Sequence, residues 1–175
     1  PNSKQELMGF AIKLAYENAQ NQTCGPFGAV IYDPKAKRMV GFGSNKVVPN
    51  SDPTAHAEIT AARDALTKSK LSNLEGLECY TSCECCPMCL SYLLDLGISK
   101  IYYAAKREDA AAAHFSDEQQ YNLIKAGYEA NCRKTDLKIE PVSVIGEKTL
   151  PETDSTFALR FLCNEIRHFH LPENF

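Results

Sequence analysis

The apolar positions of this chain change period several times, and each change marks an element. Leu7, Met8, Ala11, Ile12, Leu14 and Ala15 recur at helical spacing behind Ser3-Lys4-Gln5-Glu6, a capping-box pattern, so a first helix is predicted to end near residue 21. Cys24-Gly25-Pro26 breaks it. Residues 27–32 are an apolar run of strand length, Asp33-Pro34-Lys35-Ala36 reads as a turn, and residues 38–44 return, so this pair is a predicted hairpin. Residues 46–52 are rich in turn formers and read as a loop, and the helix after it, carrying His56 and Glu58, runs to residue 69. Strands are predicted at 77–82, 98–105 and 137–145. Helices are predicted at 87–96 with Gly97 as its stop, at 110–113, at 117–126 and at 154–168, leaving 168–175 as an aromatic tail.

After the hairpin, strands alternate with helices, and no segment repeats or falls to low complexity. The expected architecture is a single α/β domain over residues 1–175 with helices on both faces of a central sheet. Ligands in such sheets gather at the carboxyl ends of strands, where the cysteine-rich loop after the third strand would lie.

Charge and cysteine usage narrow the function. The net charge is −3 with the two signs mixed, and the densest basic run is Lys35-Ala36-Lys37-Arg38, so a nucleic-acid partner is not expected. No apolar run approaches the roughly 18 residues of a membrane span, and no basic-then-apolar leader pattern opens the chain. A cytoplasmic location is the expectation. Of the eight cysteines, Cys83, Cys85, Cys86 and Cys89 crowd into one loop, which suits a metal site better than a disulfide framework. Cys24, Cys79, Cys132 and Cys163 read as small core residues or incidental thiols.

The chemistry concentrates in Pro53-Thr54-Ala55-His56-Ala57-Glu58 and Cys83-Glu84-Cys85-Cys86-Pro87-Met88-Cys89. A His-x-Glu upstream of a Cys-x-x-Cys resembles the signature of zinc-dependent nucleobase deaminases. The donor types agree with it. Zinc takes imidazole nitrogen and thiolate sulfur, and a catalytic site uses three protein ligands so that water can hold the fourth position. His56, Cys86 and Cys89 would supply those three, for one zinc per chain. Glu58 follows His56 by two residues and shares no helix face with it, so it reaches the metal's water only if both residues lie in a first turn that faces the site. Thr54 is a candidate cap for that turn. Pro87 suits the first position of the second helix, whose N-terminus would favour thiolate charge. The competing readings are a redox dithiol at Cys86 and Cys89 and a purely structural zinc.

The resemblance extends beyond the zinc motif. Gly25-Pro26-Phe27-Gly28-Ala29-Val30, Asn45, Asp52 to Glu58, Tyr80-Thr81-Ser82-Cys83-Glu84, Cys86 to Cys89, Tyr103-Ala104-Ala105 and Asp109 to Asp117 resemble the cytidine/deoxycytidylate deaminase superfamily. Within it they are most similar to bacterial-type guanine deaminases and the related guanosine deaminases. The resemblance implies a three-layer α/β/α fold with a mixed five-stranded sheet. It also implies a homodimer, domain-swapped, with a C-terminal segment of about residues 150–175 acting as a lid over the site. It implies Glu58 as the proton carrier, and Asn45, Asp117, Ala57, Phe27 and Phe175 as contacts to a small purine. Bland alternatives stand beside these roles: a surface glutamate for Glu58, a turn residue for Asn45, a helix N-cap for Asp117 and a core ring for Phe27. His114, His168 and His170 are expected outside the metal site. The implied reaction converts guanine to xanthine and ammonia; guanosine, cytosine or another amino-substituted ring is the alternative. Two departures stand out: Cys85 where the family has proline, and Ser116-Asp117 where it has two acids.

Overall fold

A computed structural model describes residues 3–20, 24–129 and 138–141. Five strands form one mixed sheet in the order β2-β1-β3-β4-β5. They are β1 (Gly28–Asp33), β2 (Arg38–Ser44), β3 (Glu78–Cys83), β4 (Lys100–Ala105) and β5 (Lys138–Pro141). β1 pairs antiparallel with both β2 and β3, while β3, β4 and β5 run parallel. The expected hairpin is present, and its turn is held by Asp33 Oδ1, which accepts from the backbone N–H groups of Lys35 and Ala36 at 2.9 Å each. That is the Asx-turn chemistry expected of Asp before Pro.

β1 shows why the domain has three layers. Its side chains alternate with the strand period of two. Ala29 and Ile31 join a core under α3 (Ala57–Ser69) and α4 (Pro87–Asp95), whereas Val30 and Tyr32 join another under α1 (Lys4–Gln20). The strand is buried on both faces and reads as a continuous apolar run, with no polar alternation. Tyr80 and Tyr102 stack at 4.7 Å between ring centroids beneath α1, with Tyr32 edge-on to Tyr80. The capping box at the start of α1 is formed in both directions: Glu6 N–H donates to Ser3 Oγ at 3.2 Å and Ser3 N–H to Glu6 Oε2 at 3.1 Å.

α3 lies unusually close to β2. A Cβ at Gly41 would stand 2.5 Å from both the Ala61 carbonyl oxygen and the Ala65 nitrogen. Backbone cannot yield as a flexible side chain can, so Gly41→Ala is expected to destabilise the fold by about 1–3 kcal/mol, the usual cost of overpacking. Urea unfolding checks it. An unchanged midpoint would mean that α3 is free to move off the sheet.

Three elements differ from expectation. The loop at 46–52 contains a single helical turn, α2 (Val47–Asn50). Its β-branched residues and Pro49 disguise it, but the Asn45 side chain accepts from the Val47 N–H at 3.2 Å and Ser51 closes it in the left-handed region at φ 49°. α5 (Arg107–Ala112) starts ahead of the alanine run because Asp109 Oδ2 accepts from Lys106 N–H at 3.0 Å. α6 (Glu118–Glu129) outlasts its expected end. The remainder of the expected fifth strand, the helix at 154–168, Cys132, Cys163, His168, His170 and Phe175 lie outside the described residues, as does the segment 150–175 expected to act as a lid. No helix among the described residues is long and apolar enough to cross a membrane.

Candidate metal centre and active site

Two helix N-termini meet on one side of the sheet. His56 is the N-cap residue of α3 and Cys86 the N-cap residue of α4, both in extended backbone (ψ 162° and 163°). Thr54 is therefore not the cap. Its hydroxyl and N–H instead donate to Asp52 Oδ1 at 2.6 and 2.8 Å, closing an Asx turn that delivers His56. Pro87 occupies the first turn of α4, as the sequence suggested, and brings Cys89 around to the side of Cys86.

The ligand atoms of His56, Cys86 and Cys89 all lie within 4.8 Å of one another, and among the described residues no other such trio of His, Cys, Asp and Glu is found. Cys86 Sγ is 3.5 Å from His56 Nδ1. A tetrahedral zinc with ordinary Zn–S and Zn–N bonds sets that edge at about 3.6 Å. The donor types suit zinc, and this edge matches that of a tetrahedral site. The Cys86 thiol is pulled down to about 4, first by the Cys89 hydrogen bond and, against burial, by the His56 hydrogen bond. Cys89 is pushed far up by the same hydrogen bond and by burial, and His56 is raised chiefly by its bond to Cys86. Metal uptake requires both thiols as thiolates and a neutral imidazole, so it would release protons from this cluster.

Glu58 lies in the first turn of α3 and is only 7% exposed, which removes the surface-glutamate reading. Thr81 Oγ1 donates to its Oε1 at 3.2 Å, and Cys89 Sγ sits 3.5 Å from Oε2. One carboxylate oxygen is thus anchored on β3 while the other faces a ligand atom. Burial raises the Glu58 pKa, so the group sits nearer the range in which it can both take and give a proton. Ala57, beside it, is fully buried.

The other residues expected to contact a substrate lie on three further segments. Asn45, 8% exposed, follows β2. Its Oδ1 is held by the Val47 N–H, so the amide is fixed with Nδ2 as its donating end, a narrower role than two-way recognition along a ring edge. Phe27 precedes β1 and meets Phe115 edge-on at 5.2 Å, partly buried against Cys83, Ala105 and Ala110, so it also serves the core. Asp117 immediately precedes α6, and its backbone carbonyl accepts from Gln120 and Tyr121. Its pKa is raised, first by burial. His114 is exposed in the left-handed region at φ 70°, away from any ligand role.

Contacts that the sequence does not advertise hold the metal loop. Tyr121 on α6 donates its hydroxyl to the Cys85 carbonyl, Arg107 N–H donates to Glu84 Oε2 at 3.2 Å, and Glu84 N–H donates to the Ala105 carbonyl at 2.8 Å. Cys85 and Cys83 are buried, and their thiols are pushed upward by burial first. Buried thiols of this kind are inert, which leaves Cys86 and Cys89 as the sulfur donors of the loop.

Comparison with known proteins agrees with this geometry. The model of the cytidine and deoxycytidylate deaminase zinc-binding region matches residues 1–105. A guanine deaminase of Bacillus subtilis is 42% identical over 114 residues, which cover 65% of this chain and 72% of that protein. The X-ray structure of the guanine deaminase from Bacillus subtilis superposes with a TM-score of 0.64 at 32% identity, covering 97% of each chain. A tRNA-specific adenosine deaminase of Haemophilus influenzae is 32% identical over 122 residues, covering 67% of this chain and 69% of that one. The ligand trio on two helix N-termini, the α/β/α layering and these similarities together make the chain a zinc-dependent aminohydrolase that belongs to the cytidine and deoxycytidylate deaminase family.

Proposed function

We propose that the protein hydrolyses the 2-amino group of guanine, giving xanthine and ammonia, with His56, Cys86 and Cys89 holding zinc and Glu58 moving the proton. The observation that carries this reading is the His56, Cys86 and Cys89 trio with the buried Glu58 against it, in a chain 42% identical to a guanine deaminase; for the base we assign Asp117 as the acceptor and the Nδ2 end of Asn45 as the donor. Guanine offers a lactam N–H directly beside the reacting carbon and a carbonyl beyond it. A carboxylate accepts from the first and an amide N–H donates to the second, and hydrogen bonds to an ionised acceptor are the strong kind. In adenine and cytosine the ring nitrogen beside the amino-bearing carbon carries no proton, so Asp117 would face a lone pair there. The similarity to a guanine deaminase at 42% identity supports the same choice.

Zinc, when bound, supplies Lewis-acid polarisation and a water of lowered pKa. Glu58 takes a proton from the attacking water and delivers it to ring nitrogen N3. A second proton passes through the same carboxylate to the exocyclic amine, which leaves as ammonia while the water oxygen remains on C2. Thr81 keeps Oε1 fixed during both transfers, and burial of Glu58 keeps bulk water from competing for its proton.

A second reading, deamination of adenosine in tRNA, is favoured by the Haemophilus influenzae relative. It would need a basic face, and the net charge of −3 with one short basic run argues against one. The test is to incubate zinc-loaded protein with guanine and follow xanthine and ammonia together. One ammonia per xanthine is expected. Ammonia from tRNA, with none from guanine, would transfer the assignment to the second reading.

A further inference from the structure

Asn18 is a polar residue in the apolar stripe of α1, spaced from Leu7, Ala11 and Ala15 so that it faces the sheet, and it is 3% exposed. Among the described residues, its side chain makes four hydrogen bonds, to Gly25, Ser44, Asn45 and Lys46. Its Nδ2 donates to the Gly25 carbonyl at 2.8 Å and to the Asn45 carbonyl at 3.0 Å. Its Oδ1 accepts from Ser44 Oγ at 3.1 Å and from Lys46 Nζ at 3.3 Å. The chemistry fixes the amide's orientation: carbonyls only accept and a lysine ammonium only donates, so neither flip nor substitution by a carboxylate satisfies all four.

Three of the partners are consecutive at the end of β2. Ser44, Asn45 and Lys46 are all tied to Asn18, while Asn45 N–H donates to the Phe27 carbonyl at 3.1 Å and Lys46 N–H to the Ala55 carbonyl at 2.8 Å, next to His56. Asn18 thereby clamps the Gly25–Phe27 segment and the Asn45 segment to one helix. The space left between them is narrow, since a Cβ at Gly25 would stand 3.5 Å from Asn45 Nδ2. We infer that Asn18 is a positioning residue for substrate recognition: it sets the height and angle of the Asn45 amide, and through it the affinity for the base. This rests on the proposed contact between Asn45 and the substrate.

The experiment is a double-mutant cycle on zinc-loaded protein, with Asn18→Ala, Asn45→Ala and the pair, reading KM and kcat for guanine alongside zinc content and Tm. A buried carbonyl at Asn45 and a part-buried one at Gly25 lose their donor, which is expected to shift both segments, so Asn18→Ala should raise KM about tenfold with kcat changed about twofold or less. In the Asn45→Ala background the same change should raise KM little further, because the group it positions is gone. A purely architectural Asn18 lowers Tm with KM unchanged, or adds its full effect in both backgrounds, and either result overturns the inference. If Asn18→Ala does not fold, Asn18→Asp is read instead, since it keeps the contacts to Ser44 and Lys46 and loses both donors. Failure of both variants to fold assigns the residue to stability and also overturns the positioning role. A wild-type protein that ignores guanine overturns the function proposed above, whereas turnover with an additive cycle overturns only this inference.

Discussion

Glu58→Gln should leave a folded, zinc-loaded protein whose rate of ammonia release falls by at least about 10²–10⁴-fold, the usual loss when a general acid–base is removed. The amide keeps the side chain's length and still accepts from Thr81, so the first turn of α3 has no reason to move. What it lacks is a site that can both take a proton and give it up. Because the carboxyl is buried and raised in pKa, its replacement by a neutral amide relieves a desolvation cost, and Tm should stay level or rise. Metal analysis, thermal melting and turnover on one preparation check all three outcomes. Near-normal turnover would remove Glu58 from the chemistry.

Loss of either sulfur ligand should have the other large effect. Cys86→Ala and Cys89→Ala each leave two of three protein donors, and structural and catalytic zinc sites rarely hold with two. Zinc should fall from about one per chain to substoichiometric levels, with activity lost in proportion. Cys85→Ala is the control: its thiol is buried and protonated and lies outside the trio, so zinc should remain. Zinc retained in Cys86→Ala and lost in Cys85→Ala would mean that the wrong sulfur has been assigned. Retained activity in both single ligand variants would favour chemistry without metal.

The parts of the fold that were legible from the chain are those fixed by periodicity. β2 and α3 end where alternation and helical spacing end, and the β1 run declares itself by being apolar on both faces. The metal trio was legible because zinc chemistry restricts ligand types, and because Pro87 starts a helix at a definite residue. Contacts made by single side chains across the fold were not. Nothing local distinguishes Thr81, one of several polar residues in β3, as the donor to Glu58. Asn18 did leave a trace, an amide within the apolar stripe of α1, but a stripe reads as core until the polar exception is asked where its four hydrogen bonds go. The N-cap of α3 differs from the sequence expectation for a related reason. Thr54 is the better capping residue by type, yet Asp52 engages its hydroxyl, and the helix begins with His56 so that the imidazole can face Cys86.

The burial of Glu58 joins these levels. A glutamate on an exposed helix face is ordinary, whereas one 7% exposed between β3 and α4 needs a partner for its charge. The fold provides a threonine hydroxyl on one side and the ligand cluster on the other. The ligand trio and this carboxylate thus form one site.

The most direct test of the central claim is a competition. Zinc-loaded protein is given guanine, guanosine, adenine, cytosine and cytidine together at equal concentration, and each substrate and its deaminated product is quantified by chromatography over time. Guanine should be consumed first and appear as xanthine, with the other four largely intact. Preferential loss of cytosine or cytidine, with guanine untouched, would contradict the assignment of Asn45 and Asp117 to a purine lactam.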